Sequence, residues 1–276
     1  MPDQAERMRQ IAGLYRRPSR PHVITVTSGK GGAGKSTVAL NLALTFCDLG
    51  RRVILLDADA NLGGLDVMLK LSPKYRLGDV LREEVDLDEA LVSPREGLRI
   101  LAGNSGDVDY PVMNGGVQER LVDEILGLRE RYDVLMIDTA AGLTPEVIQY
   151  AEPADETLIV TTTEPTSILD AYAMMKVLWA TRPDATVNLV VNAVREPRDA
   201  DDTVHRLRLA VDRFLGRSFG YPGFVPYDPC VHAAIVQQEP VITRFPRSAA
   251  ALSLKAIGRS IAGATGNFTA LKAAAV

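Results

Sequence analysis

Apolar residues along this chain fall into two patterns. Short, mostly apolar runs occupy 23–27, 53–57, 98–101, 133–138, 156–162 and 186–192. Runs of that length, rich in Val, Ile and Leu, predict strands buried on both faces. Between them the apolar residues recur at helical spacing. This predicts helices over 36–49, 117–131, 166–182 and 201–215, with two more over 231–238 and 247–263. Gly50 supplies a stop for the first of them. Strands alternating with helices in this way predict an α/β fold, a mostly parallel sheet with helices on both faces. Ligands of such sheets bind beyond the carboxyl ends of the strands.

The two ends stand apart from this pattern. Over 3–15, Asp3 can cap a helix, Glu6 sits where a capping box wants an acid, and Ala5, Met8, Ala12 and Tyr15 form a narrow apolar stripe. A basic, proline-bearing linker follows at 16–21. On composition alone this segment reads equally as a frayed tail or a docking peptide. Residues 1–20 are therefore set apart from a main domain over 21–265. The tail over 266–276 offers Phe268 and Leu271 but a single cation, Lys272, so its membrane affinity is expected to be weak, and a loose tail fits as well.

Composition narrows the classes. The chain has 276 residues, 46% of them hydrophobic, enough for one large domain with a core of its own. A net charge of -4 supplies no general basic field, so specific nucleic-acid binding is not expected. Cys47 and Cys230 lie far apart, which argues against an iron–sulfur or zinc site and for a reducing, cytoplasmic setting. The first ten residues carry charges and lack an apolar core, unlike a signal peptide, and no run of apolar residues is long enough to span a membrane.

Three motifs carry chemistry. Gly29-Lys30-Gly31-Gly32-Ala33-Gly34-Lys35-Ser36-Thr37 fits the phosphate-binding pattern G-x-x-x-x-G-K-[ST], and it follows a strand and opens a helix. Glycines let backbone N–H groups face phosphate, Lys35 can reach the β- and γ-phosphates, and the Ser36 hydroxyl can hold Mg²⁺. A second motif, Asp57-Ala58-Asp59, ends a buried strand. Alternate residues share a side, so both acids can meet a metal–water shell, or they can simply cap a loop. Third, Val134-Leu135-Met136-Ile137-Asp138 delivers another acid to a strand tip, followed by Thr139 to Gly142, where glycine permits a change of state.

The second lysine, Lys30, would by itself read as solvated. With it the loop resembles the deviant Walker A family, MinD, ParA and their relatives, across roughly 23–263. The resemblance implies an ATPase that binds ATP and Mg²⁺ and closes as an ATP-dependent homodimer. In it Lys30 would reach the partner's phosphates, Asp59 would direct hydrolysis, and Asp57 and Asp138 would serve the metal. It also implies that Asn192 and the stretch Pro226 to Asp228 line the adenine. Unaided, these are polar strand ends.

The segment Asp3-Gln4-Ala5-Glu6-Arg7-Met8-Arg9 resembles the D-Q-A-x-x-L-R element of the FlhG (FleN, YlxH) branch. That branch regulates flagellar number and placement. The resemblance implies that Asp3, Gln4, Met8 and Arg9 dock on an FlhF-type GTPase of the signal-recognition-particle class, with Gln4 stimulating it. Met8 stands where leucine is usual, a swap of similar size. Further partners implied are a transcriptional regulator or a component of the flagellar C-ring, with the chain in the cytoplasm or at the inner face of the membrane. The alternatives are a partitioning ATPase acting on DNA or other cargo, a metabolic ligase on the same fold, and a non-hydrolysing adaptor. The complete set of phosphate and metal residues speaks against the last.

Overall fold

A computed structural model describes residues 21–59, 64–104, 115–127 and 131–264. The expected N-terminal helix, with Asp3, Gln4, Met8 and Arg9, and the tail over 266–276 lie outside the described residues. Eight strands form one sheet: β1 (His22–Ser28), β2 (Val53–Ala58), β3 (Val92–Arg95), β4 (Leu98–Leu101), β5 (Val134–Ala141), β6 (Glu156–Thr161), β7 (Val187–Val194) and β8 (Gly220–Pro226). Their order is β3-β4-β2-β5-β1-β6-β7-β8. All neighbours are parallel except β3 and β4, which are antiparallel. Both edge strands contain proline, Pro94 in β3 and Pro222 and Pro226 in β8.

Alternation along the strands splits the core. Ile24 and Val26 of β1, Val53 and Leu55 of β2, and Val134 and Met136 of β5 pack with α1 (Lys35–Asp48) and α11 (Ala249–Ala264). On the other face, Val23, Ile54, Leu56, Leu135 and Ile137 meet α5 (Gly115–Gly127) and the short helices α3 (Leu77–Leu81) and α4 (Leu87–Ala90). Beyond β1 on that side, α7 (Pro165–Thr181) and α8 (Pro197–Leu215) cover β6 and β7. Helices therefore lie on both faces, as the sequence pattern predicts.

The central helix α1 is enclosed almost all round, from Val38 to Phe46, because the sheet covers one side and α11 another. The approach of α11 depends on Gly258: a Cβ there would lie 2.7 Å from the Thr45 methyl. Leu254, Ile257 and Ile261 form the face of α11 that packs inward. Its apolar character predicts a core position for Leu252 alongside Ile257 and Ile261, but it is 57% exposed because it projects from a different side of the helix.

Several boundaries move. β5 extends to Ala141, past the acid that seemed to end it. α8 starts at Pro197 and α7 at Pro165, each with proline at a first-turn position where its missing N–H costs nothing. Too short for periodicity to show are α2 (Leu65–Met68), α6 (Pro145–Ala151, capped by Thr144), α10 (Val241–Arg244) and β3; α9 (Pro229–Val236) lies close to its expected place. Replacing Gly258 with valine should overpack this contact and lower the unfolding free energy by about 1–3 kcal/mol in a urea melt, with Thr45→Ala recovering part of the loss.

Candidate nucleotide site

β1 lies between β5 and β6, and the chain leaves its carboxyl end as the loop 29–34. Gly32 (φ 78°) and Gly34 (φ 86°) are left-handed, a conformation that glycine adopts without strain. Gly29 presses on α7: a Cβ on it would fall 2.5 Å from the Cβ of Asp170. Asn192, near the end of β7, donates its Nδ2–H to the Ala33 carbonyl at 2.8 Å and pins the loop from the other side. Around Gly31 and Gly32 no heavy atom would meet an added Cβ within 4 Å, so that part of the backbone is open to a ligand. α1 begins at Lys35 with no acid in its first turn, leaving its positive end unopposed by its own side chains. Ser36 and Thr37 are half-buried on that turn.

Under the loop lies a buried charge cluster. Asp57 on β2 and Asp138 on β5 are register partners on neighbouring strands, each 1% exposed. Lys35, 8% exposed, places Nζ 3.3 Å from Asp138 Oδ1. Burial raises the pKa of Asp138, against the pull of Lys35 and the Ser36 hydroxyl. Asp57 is pushed up to about 7, by burial first and then by Asp138, while the Leu65 and Asp59 amides draw it down. Its Oδ2 accepts from the N–H groups of Gly64 at 3.0 Å and Leu65 at 3.1 Å, and its Oδ1 accepts from Asp59 at 3.3 Å. Asp57 thereby ties the strand tip to the start of α2. Asp59 itself is half-buried one step outside. Two buried carboxyl groups, one of them paired with a buried ammonium and near the Ser36 hydroxyl, form an oxygen donor set that fits a hard divalent cation.

Lys30 points elsewhere. Its Nζ is 2.6 Å from Glu164 Oε2, with both side chains well exposed. Glu164 stands at the N-cap position of α7, just before Pro165. No sequence signal marks Glu164, Asp170 or Gly103 as members of the site. The last packs against Asp57, where a Cβ would lie 2.9 Å from Cγ. They come to the loop only through the strand order, although an acid at each strand–helix junction is a place to look.

At the far side, Pro226 pairs with Val194 across β7 and β8. The Asp228 carboxylate is occupied by backbone: Oδ1 accepts from Cys230 N–H at 2.9 Å and Oδ2 from Ala250 N–H at 3.1 Å, so it caps α9 and joins it to α11. Tyr227 is exposed, with the Arg195 guanidinium 5.0 Å from its ring centre.

Comparison with known proteins decides the family. The model of the ParA family, described as NUBPL iron-transfer P-loop NTPase, matches residues 19–196. The antiactivator FleN of Pseudomonas aeruginosa is 38% identical over 239 residues, 87% of this chain and 85% of that protein. The chain belongs to the ParA/MinD family of P-loop ATPases. The flagellum site-determining protein YlxH of Helicobacter pylori is 31% identical, covering 73% of this chain and 68% of its own. The septum site-determining protein MinD of Pyrococcus horikoshii, solved in complex with Mg-ADP, shares the fold with a TM-score of 0.73 at 23% identity, over 89% of this chain and 98% of that one. Membership in this ATPase family supports nucleotide and magnesium in general as its ligands.

The raised acid at Asp57 has a consequence for stability. Folded protein keeps a proton that the unfolded chain has released, so this contribution is complete below about pH 4, the ordinary carboxylate range, and is lost as pH rises through about 7. The nucleotide-free chain should therefore unfold at lower urea at about pH 8 than at about pH 5, and Asp57→Asn should flatten that slope.

Proposed function

We propose that this ATPase is an ATP-dependent dimerising switch that regulates flagellar number and placement. The observation carrying it is the division of labour between two lysines of one loop: Lys35 is buried against Asp138, while Lys30 is exposed and turned away from it. A lysine outside the buried charge cluster, in an exposed pair with Glu164, can serve the triphosphate of a second copy. The flagellar part rests on the names of the FleN and YlxH relatives.

ATP lies along Gly29 to Thr37, with Lys35 on its terminal phosphates and Asn192, Pro226 and Asp228 beside the adenine. Ser36, Asp57 and Asp138 hold Mg²⁺, which when bound spreads the triphosphate's charge. Withdrawing Lys35 alone would strand a buried carboxylate at a cost of about 3–5 kcal/mol, so lysine, nucleotide and cation must settle together. Asp59 orients the attacking water and takes up its proton. Asp59 and the turn at Gly142 (φ 100°), whose N–H donates to the Ser28 carbonyl at 2.8 Å, would register the γ-phosphate. Asp3, Gln4, Met8 and Arg9 dock on an FlhF-type GTPase and Gln4 stimulates it. The tail adds weak contact with the inner face of the membrane.

With saturating Mg-ATP, Asp59→Ala should accumulate as a dimer by light scattering and Lys30→Ala should not. If both stay monomeric, the face-to-face arrangement is wrong; ATP-dependent retention on nonspecific DNA that weakens with salt would favour a partitioning role. A peptide of residues 1–20 should raise the turnover of the partner GTPase, and a Gln4→Ala peptide should not. Equal effects of the two peptides would remove that activity.

A further inference from the structure

The backbone that holds Asp57 is itself held by a side chain outside the three motifs. Asp57 Oδ2 accepts from the amides of Gly64 and Leu65, and Asp66 is the next residue along. Asp66 is buried; its Oδ1 accepts from the Val67 N–H at 2.8 Å and its Oδ2 from Arg76 Nη2 at 2.8 Å. Nη1 of the same guanidinium donates to the Gly103 carbonyl at 2.8 Å. Gly103, just past the end of β4, packs directly on the Asp57 carboxyl. One planar side chain thus spans two stretches of backbone that both bear on Asp57.

Arg76 does not serve the helix it precedes. It occupies the N-cap position of α3, where a side-chain acceptor is favoured and arginine has none. The helix start is secured by other groups. Asp79 accepts the Arg76 N–H at 2.8 Å, the Leu77 N–H goes to the Ala102 carbonyl at 2.8 Å, and the Gly78 N–H goes to Asn104 Oδ1 at 2.9 Å. These bonds fix α3 to the segment after β4, so the guanidinium starts from a firm base. What it adds is the tie to Asp66. A rigid fork of donors meets two acceptors at a set separation, which a single ammonium does not.

We propose that Arg76 is a positioning residue for the magnesium served by Asp57. By holding Asp66 and Gly103 together it keeps the Gly64 and Leu65 amides on Asp57 and the carboxyl in one orientation beside Asp138. This rests on Asp57 serving the metal, as proposed above.

The test is the affinity for N-methylanthraniloyl-ADP, measured by fluorescence in excess EDTA and again in saturating Mg²⁺. The ratio of the two dissociation constants is the magnesium gain. Removing a group bonded to a metal ligand costs about ten- to a hundredfold in metal affinity. Arg76 stands one residue further out, so Arg76→Ala should cut the gain by about three- to tenfold and leave the EDTA constant within about twofold. Arg76→Gln carries the same comparison if the alanine variant does not fold. Arg76→Lys should recover part of the gain, since an ammonium can still meet Asp66. Asp66→Asn keeps an acceptor for Val67 but turns an amide N–H toward the guanidinium. It should lose a similar share, and adding Arg76→Ala to it should cost little more. Val80→Ala, buried on the same helix, loosens α3 without removing a bond to Asp66 or Gly103 and should keep the gain. An unchanged gain in Arg76→Ala overturns the proposal. Equal loss in Val80→Ala, or equal weakening with and without Mg²⁺, makes the arginine merely structural and also overturns it. So does full additivity with Asp66→Asn. Asp57→Ala separates the two readings. If the gain survives that change, the metal role of Asp57 and the role of Arg76 fall together; if it is lost there but kept in Arg76→Ala, only Arg76 falls.

Discussion

The site is organised by a register. Parallel pairing of β2 with β5 sets Asp57 directly beside Asp138, both out of water, and two such carboxylates repel. Lys35 stands against Asp138, and the amides of Asp59, Gly64 and Leu65 against Asp57. The sheet tolerates this because the hydrophobic strands that present the acids are buried along their length, and shifting either strand by one residue would turn its core side chains to the wrong face. Strain of this sort is relieved by positive charge arriving from outside.

Much of this is legible in the sequence, and the limits have physical causes. The loop is readable because glycines, lysine and hydroxyl must sit at fixed offsets for phosphate to be cradled, and the apolar strand before it and the helix after it supply the context. Asp57 and Asp138 are readable because each ends an apolar run. Their adjacency is not, since strand order is a tertiary property. Leu252 is apolar like its neighbours yet faces water, because at about 100° per residue it lies on the side of the helix opposite Leu254, Ile257 and Ile261. Gly258 carries no sequence mark of its use, which is distance between two helix axes. For Asp228 the motif names the residue, while the side chain is engaged with the amides of Cys230 and Ala250.

Family membership and local geometry answer different questions. The family accounts for the loop and for nucleotide turnover. Local geometry pairs Lys30, in water, with Glu164 at the N-cap of α7. That exposed pair is screened by salt, whereas the Lys35–Asp138 pair beneath, shielded from solvent, is far less sensitive to it.

The two borders of the sheet deserve a last thought. Each ends in a strand bearing proline, which cannot donate to a further strand, and β3 is only four residues long and runs against its neighbour. Lateral addition of another chain by backbone pairing is thereby discouraged on both flanks. In the proposed face-to-face dimer, copies would instead meet through the surface where the nucleotide loop opens, a two-fold arrangement that closes after two.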